Sequence, residues 1–474
     1  MAAAKAVEER RRHKVLLIAG SLLVLFLVAG VVGTTYGMFE AKRQKKSAEE
    51  GWGKAVTETH RADQNFADAR ATILDMGVRI NQIETGVNNP RLADLERRQA
   101  LDQAREQFER FRLALPDDEN VQRQAAYLHR YAANISRSLS DYQAASTAYA
   151  AAIKIYEDLM IRFPDNPKYR DDLGQTLSDR AVAEKRLGRL KEAAQMLESA
   201  LKLAEEGRGG MSDSSFHRSL GIIENDRTDV AYRLGQFDAA SRSASRAREL
   251  LDKLRDVPDS EKNPIDPLYA AMTVQRFAMA HRELGNTAEA LAAHEDAVAR
   301  MKALNGPKAD RNARYWYCEV RRERARTAAA VPARWEAAAE DLVEVISIME
   351  KIVEENPQLP WYREGLAAAY LRRGELLLLL NQVGPATNTL EKSLAVSREL
   401  RDRFGPLSDS LLVRGRTFLA LGKARAAAGK TGEAASEWKS AVTLFERGLK
   451  ADPDNYHHNH GLTEAKQLLN MSAK

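Results

Sequence analysis

The sequence holds one cysteine, Cys318, in 474 residues. An intramolecular disulfide is therefore excluded, and thiol content assigns no redox compartment. Strand signals are absent, because no alternating β-branched run bounded by turn residues occurs. Proline is sparse, and all 14 fall at or beside inferred helix boundaries. No Gly-rich phosphate loop is found, and Ser, His and Asp stand at no spacing suited to nucleophilic catalysis. Neither an enzyme nor a cofactor is implied. A nucleic-acid surface is excluded by the placement of charge: residues 1–46 hold nine Lys/Arg against three Asp/Glu, while the whole chain is only +5. The remainder therefore sums to −1, and no basic face stands out.

The basic residues flank a long apolar run. Val15 to Phe39 is 25 residues without a charge, 14 of them Leu, Ile, Val or Phe. As a helix it would span roughly 37 Å, enough to cross a bilayer core with some tilt. Its insertion is favourable by roughly 4 to 8 kcal/mol. A cleaved signal peptide fits less well, since the run is too long and Lys42, Arg43, Lys45 and Lys46 follow directly. The expectation is a single-pass membrane helix at 15–39 behind a short basic tail at 1–14. Five Lys/Arg precede it and four follow, so charge hardly fixes orientation. Ala29, Gly33 and Gly37 lie four apart, a small-residue face on which two copies could dimerise.

Beyond it, residues 40–119 read as a juxtamembrane stalk and divergent capping helices, among them a stripe of Leu92, Leu95, Leu101, Phe108 and Phe111. From about 120 to 452 a unit recurs every 48 residues or so. Its marker alanines are Ala145, Ala193, Ala240, Ala290, Ala338, Ala386 and Ala434. In the last copy Ala434, Trp438 and Ala441 share one helix face, with the turn glycine Gly429 before them. Gly188, Gly235 and Gly285 stand at the same offset, and Ala133, Ala181, Ala278, Gly374 and Gly422 recur in the preceding helix. Arg326 breaks that series. Small residues at facing positions let two helices approach closely, so each unit is a helical hairpin that must stack to bury its face. Pro167 behind Asn166, and Pro267 behind Asp266, read as first-turn prolines after N-caps. The fold class is all-α: about seven long hairpins in an α-solenoid, with a C-terminal capping helix at 453–474.

RLGRLKEAAQMLESALKLA, RLGQFDAASRSASRARELL and ELGNTAEALAAHEDAVARM resemble tetratricopeptide (TPR) repeats, although the usual period is about 34 residues. Here each helix is about seven residues longer, or roughly 10 Å. More narrowly, GVVGTTYGMFEAKRQ, NFADARATILDMGVRI and RFPDNPKYRDDLGQTL resemble the anchor and C-terminal repeats of membrane serine/threonine protein kinases of planctomycete-type bacteria. That resemblance implies repeats on the extracytoplasmic side. Only 14 residues precede Val15, and Val-Ala-x-Lys, His-Arg-Asp and Asp-Phe-Gly are not found, so phosphoryl transfer is not carried over. Two functional expectations follow: a membrane-anchored, non-enzymatic scaffold, or the sensor half of a split or truncated kinase.

The TPR resemblance also implies a concave groove lined by first helices and open to protein or peptide ligands. It places Arg130, Asn134, Arg137, Lys185, Arg186, Asn225, Asp229, Arg233, Gln275 and Arg282 near that groove. Basic residues predominate toward its N-terminal half, which suits a partner with an acidic segment or free carboxylate. His457 and His460 would share a helix face, but no Cys or paired carboxylate joins them, and a solvated capping helix is the expected reading. Arg321, Arg322, Arg324 and Arg326, mixed with Glu319 and Glu323, read as a salt-bridged helix face, and Cys318 as packing.

Overall fold

The computed structural model describes residues 119–305, 311–357, 359–404 and 408–472. The expectations for the basic tail, the membrane helix with Ala29, Gly33 and Gly37, and most of the stalk lie outside the described residues. Of two compact units, 1–125 and 126–474, the second carries the repeats.

Among the described residues there are fifteen α-helices and no strand. The hairpins pair α1 (Glu119–Ser138) with α2 (Tyr142–Arg162), α3 (Pro167–Arg186) with α4 (Leu190–Glu206), α5 (Asp213–Arg233) with α6 (Phe237–Asp252), and α7 (Asp266–Glu283) with α8 (Thr287–Leu304). Then follow α9 (Arg311–Ala328) with α10 (Trp335–Glu355), α11 (Pro360–Leu379) with α12 (Val383–Phe404), and α13 (Ser408–Ala427) with α14 (Thr431–Ala451), capped by α15 (Tyr456–Ser472). No helix among the described residues is long and apolar enough to cross a membrane.

Each turn between paired helices needs one left-handed residue, because the chain must reverse within three or four positions. Gly188, Gly235, Gly285 and Gly429 supply it at φ between 75° and 84°. Ser140 (φ 64°) and Asn381 (φ 58°) take the same place in the first and sixth hairpins. All six stand five residues before a marker alanine. At Gly188 the turn closes with its own N–H donating to the Lys185 carbonyl and the Arg189 N–H to the Glu184 carbonyl, satisfying carbonyls that the ending helix leaves open.

Six of the seven marker alanines are fully buried; the exception is Ala338. In that fifth hairpin α9 ends earlier, and a 3-10 turn at Pro332–Arg334 replaces the glycine turn. Ala339 is buried beside Ala338, and Ala325 takes the small-residue place expected at 326, packing in the same cluster as Leu342. Arg326 thereby turns to the interior of the coil. The close approach is clearest in the last hairpin, where a Cβ added to Gly422 would lie 2.1 Å from Trp438 Nε1. The indole N–H donates to the Leu419 carbonyl at 3.2 Å. The core runs as a chain of linked clusters along the stack, as a solenoid requires.

One of the two expectations about helix N-caps changes. Asn166 caps α3 as expected, its side chain accepting from the Lys168 N–H at 3.2 Å. Asp266 is instead the first residue of α7, and its carboxylate is taken by Arg218 at 2.6 and 2.7 Å. In the leucine run from Leu376 to Leu380, Leu376 and Leu377 are buried and Leu379 is exposed.

The stack coils far enough to meet itself. The turn of the second hairpin touches the end of α14 and that of the third touches the cap α15: a Cβ on Gly188 would lie 2.2 Å from the Ala451 carbonyl oxygen, and one on Gly235 would lie 2.7 Å from the Tyr456 ring. Phe237 packs edge-on to Tyr456 with ring centroids 5.1 Å apart, and Tyr232 lies 4.7 Å from His457. Lys191 reaches Asp454 at 2.7 Å. Odd-numbered helices, the first of each pair, form the inner wall of this turn.

Candidate functional site

Inside the turn lies an open cleft. Its lining comes from α3, α5, α7, α9, α11 and α13, together with Asn455 and His457 beside the cap. Helices with a period near 3.6 present neighbouring residues inward as each hairpin rotates past the last, so the lining mixes apolar and charged groups. Met279, Trp316, Leu371 and Leu412 give it apolar surface; seven arginines and five carboxylates give it charge.

Of the groove residues expected from sequence, Arg186, Asp229, Arg233 and Gln275 line this cleft. Arg186 and Arg233 both reach Asp409 of α13: Arg233 donates through Nη1 and Nη2 at 2.7 and 3.2 Å, and Arg186 donates to Oδ2. Asp229 accepts from Lys185 and, at 3.4 Å, from Arg233. Gln275 Nε2 donates to the Glu319 carbonyl at 3.5 Å. Asn225 is fully buried, its Oδ1 accepting from Thr273 at 3.0 Å. Arg282 sits behind the lining, donating to Glu323 at 2.8 Å and to the Tyr232 hydroxyl at 2.7 Å.

Arg130, Asn134 and Arg137 form a separate group around Asp179. Arg130 donates to Asp179 at 3.0 Å and to Gln175 at 3.1 Å; Arg137 lies 3.5 Å from Asp179, and Asn134 accepts from Tyr149. The basic N-terminal half expected of the groove is therefore neutralised from within. The reason is physical: adjacent first helices pack inner face beside inner face, and a desolvated guanidinium there is costly without a carboxylate, which the next helix provides.

Sequence reasoning missed Asp409, Glu364, Arg276, Arg416, Tyr232 and His457, all of which line the cleft. Burial alone would raise the Asp409 carboxyl, but Arg233 and Arg186 hold it well below the usual range. Glu364, 3.7 Å from Arg186, is pushed up by burial and by the Asp409 charge, so Asp409 is the partner that stays ionised. Burial pushes the Lys185 ammonium down, against the pull of Asp229. A short acidic signal such as Ser408-Asp409 gives no hint that its partners lie 223 and 176 positions away.

The NYHHNH segment is not a solvated cap. His457 and His458 are buried, and His458 packs near Phe445, its Nε2 3.3 Å from the Ser408 hydroxyl. Among the described residues no group of three His, Cys, Asp or Glu is placed to hold a metal ion. The arginines of α9 are salt-bridged, and across helices as well as along one: Arg321 to Asp341 and Glu344, Arg324 to Asp341, Arg322 to Glu319 and Glu323. Cys318 is fully buried against the Val345 carbonyl, and burial pushes its thiol up to about 12, which leaves it inert.

A family model for the tetratricopeptide repeat matches residues 271–309, the fourth hairpin. No curated protein matches the sequence. Solved structures similar to the chain include the quorum sensor NprR from B. thuringiensis in its apo form, 10% identical, with a TM-score of 0.48, over 83% of this chain and 97% of that one. A Rap protein complexed with competence and sporulation factor is 11% identical, with a TM-score of 0.44, over 84% and 99%. BtubC (BKLC) from P. vanneervenii is 18% identical, with a TM-score of 0.39, over 56% and 91%. The chain is an all-α helical repeat array, one hairpin of which matches the TPR model.

Proposed function

We propose that this protein is a membrane-tethered, non-catalytic scaffold that takes a protein or peptide partner into the inner cleft. The observation that carries the reading is the cleft itself, built from the first helices of six successive hairpins and offering apolar and charged groups along one wall. Such a mixture suits an extended chain, whose side chains alternate in character while its backbone seeks polar partners. The uncharged run from Val15 to Phe39 supplies the tether, and the repeats lie on the extracytoplasmic side. The test is site-specific photo-crosslinking in cells. A photo-reactive amino acid at Met279 or Leu412, inside the cleft, is expected to capture a discrete partner that the same group at exposed Ile161 does not. Equal capture from all three positions would contradict the reading.

A further inference from the structure

Pairing inside the cleft is uneven. Arg186 and Arg233 share Asp409, Arg276 lies 3.6 and 3.5 Å from Asp226 and Asp229, and Arg322 is held by Glu319 and Glu323. Three cationic or polar groups of the lining are less fully paired. Arg416 of α13, half-buried, makes no ion pair or hydrogen bond among the described residues. The two carboxylates whose fields reach it, Glu375 and Glu464, are paired with Arg372 and Lys423. Arg326 of α9 has only long contacts, 3.4 Å to Glu283 and to the Tyr232 hydroxyl and 3.8 Å to Glu323. Those carboxylates are already held closer by Arg282, at 3.1 and 2.8 Å.

The third group is independent of any charge count. His457 lines the same cleft, is only 6% exposed, and its Nε2 is buried with no hydrogen-bond partner. A buried ring nitrogen without a partner is destabilising, and a ligand donor or acceptor that reaches it relieves that cost. Burial, reinforced by Arg326, pushes the Arg416 guanidinium below its ordinary range, and Arg326 and Arg416 also hold His457 down. Their fields therefore overlap at one place. A desolvated positive region whose nearby carboxylates are already shared with other cations is stabilised by an anion.

We infer that Arg326, Arg416 and His457 form an anion subsite in the cleft, which receives a compact oxoanion, a carboxylate or phosphate group, carried by the ligand. The inference rests on the cleft being the binding surface and adds where the ligand's negative charge sits. Leu412 and Val413, on the turn of α13 before Arg416, place apolar surface beside the charge, so the group belongs to a ligand with an apolar portion. The guanidinium fork suits either oxoanion through paired N–H bonds.

The test uses the full-length chain in non-ionic detergent, titrated by calorimetry with sodium acetate and with inorganic phosphate. Binding of acetate assigns a carboxylate, and binding of phosphate a phosphoryl group. Arg416→Gln and Arg326→Gln are each expected to weaken the preferred anion at least about tenfold. Because Arg416 lacks a partner, Arg416→Gln should leave the thermal midpoint unchanged or higher, whereas a structural arginine would lower it. Failure of both anions to bind, or binding that the two variants leave intact, would overturn the subsite. The photo-crosslinking result at Met279 is read separately, so a cleft that captures a partner without an anion subsite is distinguishable from one that captures none.

Discussion

Arg233 on α5 and Asp409 on α13 are 176 residues apart in sequence and joined by two hydrogen bonds of 2.7 and 3.2 Å. With Arg186 on the same carboxylate, this contact ties the second and third hairpins to the seventh across the cleft. Asp409→Asn removes the charge while keeping the shape, leaving Arg233 only its long contact to Asp229 and Arg186 only its long contact to Glu364. The expected cost is about 2–4 kcal/mol in urea denaturation, less than for a fully sequestered pair because these side chains keep some solvent.

The turn glycines separate local strain from closure. Gly188 and Gly285 have nearly the same backbone, φ 79° and 84°, but a Cβ meets the Ala451 carbonyl oxygen at the first and nothing within 4 Å at the second. Gly285→Ala should cost only the left-handed penalty, about 1–2 kcal/mol. Gly188→Ala should cost more and should speed amide exchange near Ala451, as read by hydrogen–deuterium exchange.

Gly422 and Trp438 are expected to be strongly coupled. Gly422→Ala alone overpacks the last hairpin by about 1–3 kcal/mol. The second hairpin holds Ala181 and Leu197 at the same offsets, both fully buried. Gly422→Ala combined with Trp438→Leu should therefore recover most of the loss in thermal unfolding. Ala434→Leu, on the same face and fully buried, has no such compensation and should also cost about 1–3 kcal/mol through overpacking.

His294 occupies the position held elsewhere by Leu197, Leu342 and Leu390, is fully buried, and has neither ring nitrogen hydrogen-bonded. Burial pushes its pKa down to about 3, and that of His458 to about 4. Unfolded, both take up a proton below about pH 6.5 that the folded state refuses, so they subtract stability as pH falls from about 6.5 toward those values. His294→Leu should raise stability at pH 7 by about 1–3 kcal/mol and reduce the acid slope by up to about 1.4 kcal/mol per pH unit. Urea denaturation at pH 7 and pH 5 measures both.

Periodicity made the hairpins legible, because close helix contacts demand small residues at fixed offsets and glycine turns announce themselves. Ser140 and Asn381 were not legible as turn centres, since nothing in composition marks an isolated non-glycine residue as left-handed. The register of the fifth hairpin was not legible: Ala325 sits beside Arg326, and only packing decides between them. Of the ten residues placed by offset, Arg186, Asp229, Arg233 and Gln275 line the cleft, and none of their pairings could be read from sequence. Arg186 and Asp409 meet because small rotations accumulate over five hairpins, a sum that no local pattern fixes. The same sum buries His457, which looked like a surface residue of a terminal helix.

Closure of the coil on its own cap is the premise of the cleft, and zero-length carbodiimide crosslinking of the dilute full-length chain tests it directly. Lys191 and Asp454 lie 2.7 Å apart and are accessible to reagent, as is the neighbouring-helix pair Lys423 and Glu464 at 2.7 Å. The closed coil predicts both crosslinks within one chain by peptide mass spectrometry. Formation of the Lys423–Glu464 link without the Lys191–Asp454 link would show an open solenoid and contradict the account.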